Sequence, residues 1–241
     1  PVHLYGQTAD LKAIKAICDK NNLFMIEDNA QSIDGYGNGV KQGELSDAVC
    51  TSFIIQKNLG TFGDSGSIMT NRDDINEKVR KLRNHGSPAR NVHSPGYNSR
   101  LDDIHAGILS AKLKHITAWT DNRIKWAGQY TEKLAGCNNF SLPYVVEGGR
   151  HVFHLYVLEL KDNANRDKML KFLNDAGIDA KTHYSIAIHQ QEGFPWNVEA
   201  EVRGSLANCE KNAASCLSLP MFPELTQEEV DYVVEKVLEW D

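Results

Sequence analysis

A single lysine, Lys57, closes the apolar run in "SFIIQKNLGTFGDSG" (residues 52–66), and a loop with three glycines follows it. An ammonium group at the end of a buried strand is costly unless it is paired or neutral. A lysine in that setting shifts its pKa downward and becomes a nucleophile toward carbonyl compounds. Alone, the pattern also fits a lysine whose stem snorkels to solvent from a strand edge. A second strand end narrows the reading. "MIEDNAQS" (25–32) puts Glu27, Asp28 and Gln31 where another apolar run stops. In open parallel α/β sheets, ligands bind beyond the carboxyl ends of the strands, so Asp28 and Lys57 are expected at one rim. A lysine and a carboxylate there suit pyridoxal phosphate. The lysine forms the Schiff base, and the aspartate pairs with the protonated ring nitrogen. Asp28 also fits a turn residue after the strand.

A phosphate needs donors. Ser52 precedes Lys57 by five residues. At a period of two it shares the lysine's face only if the strand bends. The Gly60–Gly66 loop offers backbone amides, or simple turn geometry.

The elements that must position these residues alternate along the first hundred. Thr8 is expected to cap a helix with Leu11, Ile14, Ile17 and Cys18 on its apolar face. Strands are expected at "LFMIED", "AVCTSFIIQ" and "SGSIMTN", and "DDINEKVRKLRNHG" reads as a helix closed by Gly86. A helical pattern from Asp102 to Leu134, as one helix or two, leads to a strand at 151–161. A helix at 165–176, a strand near 178–182 and helices at 199–214 and 226–240 follow. The expected organisation is a large α/β domain over 1–100, a connecting helix over 101–135 and a small α+β domain over 136–241.

The chain has 241 residues, 41% of them hydrophobic and 24% charged, which fits a globular protein with a sizeable core. With a net charge of −6 and no basic stripe, neither nucleic acid nor an anionic membrane is expected as a main partner. No apolar run reaches the roughly 18 residues of a membrane-spanning helix. The five cysteines include no CxxC, which points to a reducing, cytoplasmic compartment. No metal site is expected.

Taken together and in order, "PVHLYGQ", "IEDNAQS", "SFIIQKNLGTFGDSG", "LRNHGS", "GYNSRLDDIHAGIL" and "SLPMFPELT" resemble the DegT/StrS family of sugar-nucleotide aminotransferases. The resemblance covers nearly the whole chain. It implies an α/β architecture of pyridoxal-phosphate fold type I: a mostly parallel sheet with helices, and a smaller C-terminal α+β domain. It also implies amino transfer from an amino acid such as glutamate to a nucleotide-linked keto-sugar, with pyridoxamine phosphate as the intermediate cofactor form. Residue by residue, it makes Lys57 the Schiff-base lysine and Asp28 the partner of the pyridine nitrogen. Gln31 stands beside the ring hydroxyl and Ser52 binds the phosphate. Asn98 reaches the phosphate of a neighbouring subunit's cofactor, which implies a homodimer with shared active sites. Apart from the family, Asn98 reads as a turn residue. His183 and Tyr184 match a segment near the substrate, and Arg90 and His93 lie in a loop that reaches sugar or phosphate. Ordinary strand-end packing and a solvated loop are the plainer readings of these four.

Departures from the pattern bear on specificity. Ile54 and Ile55 stand where the family carries an aromatic residue and a proline, and "HYSIAIH" lacks the proline usual after His-Tyr. The family's deoxygenating branch replaces the lysine by histidine, so Lys57 favours transamination over dehydration. The family also carries a segment before "PVHLYG" with a phosphate-cupping turn and a ring-stacking aromatic residue. A fragment of a longer reading frame is therefore expected, and the reading frame upstream of Pro1 tests it. A non-catalytic cofactor-binding or dimerisation module is the rival reading.

Overall fold

The structure is a computed structural model that describes residues 1–194 and 201–240. Contacts divide the chain into two compact units: Pro1–Ile124 with Val145–His154, and Lys125–Tyr144 with Leu155–Asp241.

The first unit opens with helix α1 (Leu11–Asn21), capped by Asp10 rather than Thr8. The Asp10 carboxylate accepts the Ala13 amide at 3.1 Å, and Asn22 ends the helix in the left-handed region (φ 53°). Thr8 instead accepts from Gln42 Nε2 at 2.9 Å. Leu11 and Cys18 bury against Met25 and Val40. Strand β1 (Ile26–Asp28) follows, and the glycine-rich connection forms a hairpin of β2 (Tyr36–Gly37) and β3 (Val40–Lys41). Strand β4 (Ala48–Ser52) lies parallel to β1, with Asp28 opposite Cys50. Strand β5 (Gly66–Met69) runs antiparallel to β4. A parallel partner needs a crossover, usually helical, and the connection over 53–65 holds no helix. Helix α2 (Asp73–Leu82) stops four residues short of Gly86, and the expected helical stretch after 102 is two helices, α3 (Asp103–Leu113) and α4 (Ile116–Lys133).

The register puts Ile26, Asp28, Ala48, Cys50, Ser52 and Ile68 on one face of the sheet. Glu27, Val49 and Thr51 point to the other, buried face. Glu27 therefore serves structure rather than the rim. Its carboxylate lies 2.8 Å from Nε2 of the equally buried His3 and accepts the Gly43 amide at 2.9 Å. The Ala9 amide donates to His3 Nδ1, so Nε2 carries the hydrogen and the ring is neutral. Burial works to raise the Glu27 pKa, and the hydrogen bonds from His3 and Gly43 outweigh it and hold the group below the usual range.

The second unit has an antiparallel sheet in the order β6 (Phe140–Ser141), β7 (Tyr156–Leu160), β8 (Cys216–Leu219). Helices α5 (Arg166–Asp175), α6 (Ala207–Ser215) and α7 (Gln227–Trp240) accompany it. The strand expected over 151–161 begins only at Tyr156, because Phe153 adopts φ +43° and breaks the extended run. The strand expected near 178–182 is a single bridge, Lys181 to Ser218. Residues 199–200 of the expected helix over 199–214 lie outside the described residues. Tyr130 and Tyr156 pack at 5.1 Å in the core, and the Tyr130 hydroxyl donates to the Pro220 carbonyl. Leu173 on α5 is fully buried. Leu173→Ala is expected to cost about 2–5 kcal/mol through the cavity it leaves. A lower urea midpoint at unchanged slope checks this. Among the described residues, no helix is long and apolar enough to cross a membrane.

Candidate active site

Strand β4 ends at Ser52, so Lys57 stands on a loop and not at a strand end. The chain folds back on itself there. Phe53 donates its amide to Ser65 and accepts from Thr61, both at 2.8 Å, and the Lys57 amide donates to the Ile54 carbonyl at 2.9 Å. This is the bend that Ser52 and Lys57 needed. Gly60 makes it feasible, since a Cβ on Gly60 would stand 2.5 Å from the Ile55 carbonyl oxygen and 2.7 Å from that of Ile54. Gly60→Ala is expected to cost about 1–3 kcal/mol by overpacking backbone against backbone. Gly63→Ala, where the nearest atom is 3.5 Å away on the His105 ring, is the control and should leave the urea midpoint near wild type.

Lys57 is half-buried. Burial pushes its pKa down, and the charge of Asp28 pulls it partly back. The same carboxylate acts on Cys50, whose thiol is pushed up by burial first and by Asp28 second. Asp28 is solvent-exposed at the end of β1, where Oδ1 accepts the Ala30 amide at 3.0 Å. The turn reading and the rim reading of Asp28 thus describe one conformation. A cavity of about 470 Å³ opens here, bounded by Asp28, Cys50, Ser52, Ser65 and Gly66. A Cβ on Gly66 would lie 2.9 Å from the Thr51 carbonyl, so glycine keeps that wall low. Gln31 is buried, and its Oε1 accepts the Tyr5 amide at 2.6 Å.

The cavity brings Asp28 and Ser52 together; Lys57 is not among its lining residues and is linked to the site by the charge of Asp28. Ser52 also lines a second cleft, of about 840 Å³, with Asn98, Arg80 and Arg83. Asn98 is held there by a bridge to Asn84. Arg90 and His93 are exposed on the loop before it. His183 and Tyr184 belong to the second unit, where His183 Nδ1 lies 2.8 Å from Ser218 Oγ and the two rings meet edge-on at 5.6 Å. An amine whose pKa is lowered by burial and which feels the charge of a carboxylate lining a cavity is suited to bind a carbonyl compound covalently.

The sequence model of the DegT/DnrJ/EryC1/StrS aminotransferase family matches residues 1–238. The chain belongs to this family. It is 45% identical over 243 residues to a pleiotropic regulatory protein of Geobacillus stearothermophilus, covering all of this chain and 64% of that protein. It is 42% identical to a UDP-N-acetyl-3-dehydro-alpha-D-glucosamine 3-aminotransferase of Acidithiobacillus ferrooxidans, covering 95% of this chain and 60% of the relative. Among solved structures, Streptomyces venezuelae DesV in complex with a ketimine intermediate superposes with a TM-score of 0.92 at 36% identity, covering all of this chain and 64% of DesV. The chain therefore spans less than two thirds of the length of the curated relatives it matches.

Sequence reasoning passed over two features of this family member. Cys50, to which the sequence assigned no role, lines the cavity on the face of Asp28. Asn58, directly after the lysine, is buried and bonded to Val152 and His154. The paired histidines of "HVFH" were the available signal for the second.

Proposed function

We propose that the whole protein of which this chain is a part uses pyridoxal phosphate to move an amino group from an amino acid, glutamate, to a nucleotide-linked keto-sugar. The product would be an amino sugar for a surface polysaccharide or a glycosylated metabolite. The observation that carries the reading is the half-buried Lys57 amine on the loop after β4, within the field of Asp28, whose carboxylate lines a cavity with Ser52. The names of the sugar-aminotransferase relatives supply the substrate class.

The residues present fit the cofactor. A cavity of this volume lies within the usual range for small ligands, roughly 300–1,000 Å³. Lys57 would hold the carbonyl carbon, Asp28 the ring nitrogen, Gln31 the ring hydroxyl and Ser52 the phosphate. When bound, the cofactor supplies an electron sink for charge that develops on the substrate carbon. Lys57 Nζ would then take the proton from that carbon and return it at the neighbouring position, a role that its lowered pKa favours. The Asp28 carboxylate would hold a proton on the ring nitrogen. Arg90, His93, His183 and Tyr184 are the proposed substrate contacts, with Asn98 contributed across a cytoplasmic homodimer.

Incubation with pyridoxal phosphate, borohydride reduction and peptide mapping test the reading. Label concentrated on Lys57 is expected, whereas label scattered over surface lysines would sink it. The regulatory name of the 45%-identical relative favours a second reading, a non-catalytic cofactor-binding protein. Conversion of the bound cofactor to its amine form by glutamate separates the two.

A further inference from the structure

We propose that Asn58 is a positioning residue for Lys57, tying the lysine loop to a strap formed by His151–His154 and through it to the loop that carries Gln31. The inference rests on the role of Lys57 given above.

Asn58 makes two long-range bonds with opposite polarity. Its Nδ2 donates to the Val152 carbonyl at 3.2 Å, and its Oδ1 lies 3.1 Å from His154 Nδ1. A carbonyl oxygen can only accept, so the amide orientation is fixed. Oδ1 must then accept, and the hydrogen of His154 sits on Nδ1. The strap is itself pinned along its length. The Val152 amide donates to the Gly6 carbonyl at 2.9 Å, and Arg123 Nη1 donates to the Phe153 carbonyl at 3.1 Å. The His151 ring accepts the Phe153 amide at 3.0 Å and stacks on its ring at 4.0 Å. Burial holds the pKa of His151 at about 4, so the ring stays neutral and able to accept. Phe153 keeps φ +43°, a left-handed conformation that needs such over-determination.

The far side of the strap lies on Gly6, where a Cβ would stand 2.9 Å from the amide nitrogens of both Phe153 and His154. Gly6 adjoins Tyr5, whose amide holds Gln31. One strap therefore touches the loops of both Lys57 and Gln31, and Asn58 is its link to the lysine. A flexible loop lysine would otherwise wander by ångströms relative to the rim, and misplacement on that scale is expensive for catalysis.

The test needs no activity. The acid–base midpoint of Lys57 is read from the pH dependence of its labelling by a small amine reagent, without cofactor, by mass spectrometry. Melting temperatures are measured in parallel. Asp28, the charge that acts on Lys57, stays in place throughout. In Asn58→Ala and in His154→Phe the midpoint should rise toward the ordinary lysine value. The uncharged fraction of Lys57 at pH 8 then falls about three- to tenfold, the equivalent of half to one pKa unit. His154→Asn keeps an N–H donor where Nδ1 was and should behave like wild type. Asn58→Ala and His154→Phe proteins that melt lower but keep the wild-type midpoint would overturn the proposal, since a merely structural residue does that. If wild-type Lys57 takes no pyridoxal phosphate label, the functional reading fails, and the cofactor-free midpoints still decide the role of Asn58.

Discussion

In the aminotransferase proposed above, Lys57→Ala is expected to reduce amino transfer by about ten-thousandfold, because one Nζ would both anchor the carbonyl compound and move the proton. Lys57→Arg should lose as much. A guanidinium keeps the charge and the length but stays protonated and cannot act as a nucleophile. Rescue from within the site is not expected. Lys112, which also reaches this loop, is committed to the Gly60 carbonyl and lies over the Trp119 ring at 5.9 Å. Single-turnover conversion of the amine form separates this loss from impaired binding. The same lysine weakens the fold. Its pKa is lowered by burial from an ordinary value of 10.5. Below the folded value the ammonium is charged in both states, and the full cost of burying it is present. As pH climbs from the folded value toward the unfolded one, the folded chain sheds the proton first and stability rises. Lys57→Met should therefore melt above wild type at pH 7, and the gap should narrow toward pH 10. An inactive, more stable variant is the signature of a charge kept for function.

How far the site was legible depends on how local each cause is. Asp28 and Gln31 follow an apolar strand, and parallel pairing of β1 with β4 puts their segment at a carboxyl rim. That much follows from periodicity and sheet topology. The expectation for Lys57 rested on a strand end that the structure does not have. Lys57 stands on a loop folded back at Gly60, not on the strand, and a run such as Phe53–Ile55 carries the same apolar pattern in either case. The Asp10 cap was hidden because Thr8, an equally good cap by type, was claimed by Gln42 from a distant hairpin. The strap lay beyond sequence reasoning altogether. "HVFH" alternates like a strand, and only the contacts with Gly6, Asn58 and Arg123 hold Phe153 in a left-handed turn. Local chemistry is written in the spacing, whereas bonds that span 94 residues, such as Asn58 to Val152, are not.

Asp28→Asn is the second large effect, a fall in amino transfer of about a hundred- to thousandfold, comparable to removing one preorganised electrostatic partner of a developing charge. The substitution is nearly silent for the fold. The asparagine oxygen still accepts the Ala30 amide, and an exposed site of this kind changes stability by about 0.5 kcal/mol or less. What is lost, on the proposed role, is the negative charge that would hold a proton on the cofactor's ring nitrogen. Two groups that feel the charge of Asp28 report that loss without any cofactor. Asp28 raises the pKa of Lys57, so removing its charge should send the Lys57 midpoint further down. Asp28 also raises the pKa of the Cys50 thiol, so Cys50 should react faster with a thiol reagent at pH 8. Both shifts together with a collapse in turnover identify Asp28 as the partner of the ring. Both shifts with undiminished turnover would reduce it to a turn residue whose field merely reaches its neighbours. Asp28→Glu sharpens the choice, since it restores the charge at a displaced position. A ring partner is sensitive to that displacement, so the probes should return toward wild type while turnover recovers only in part.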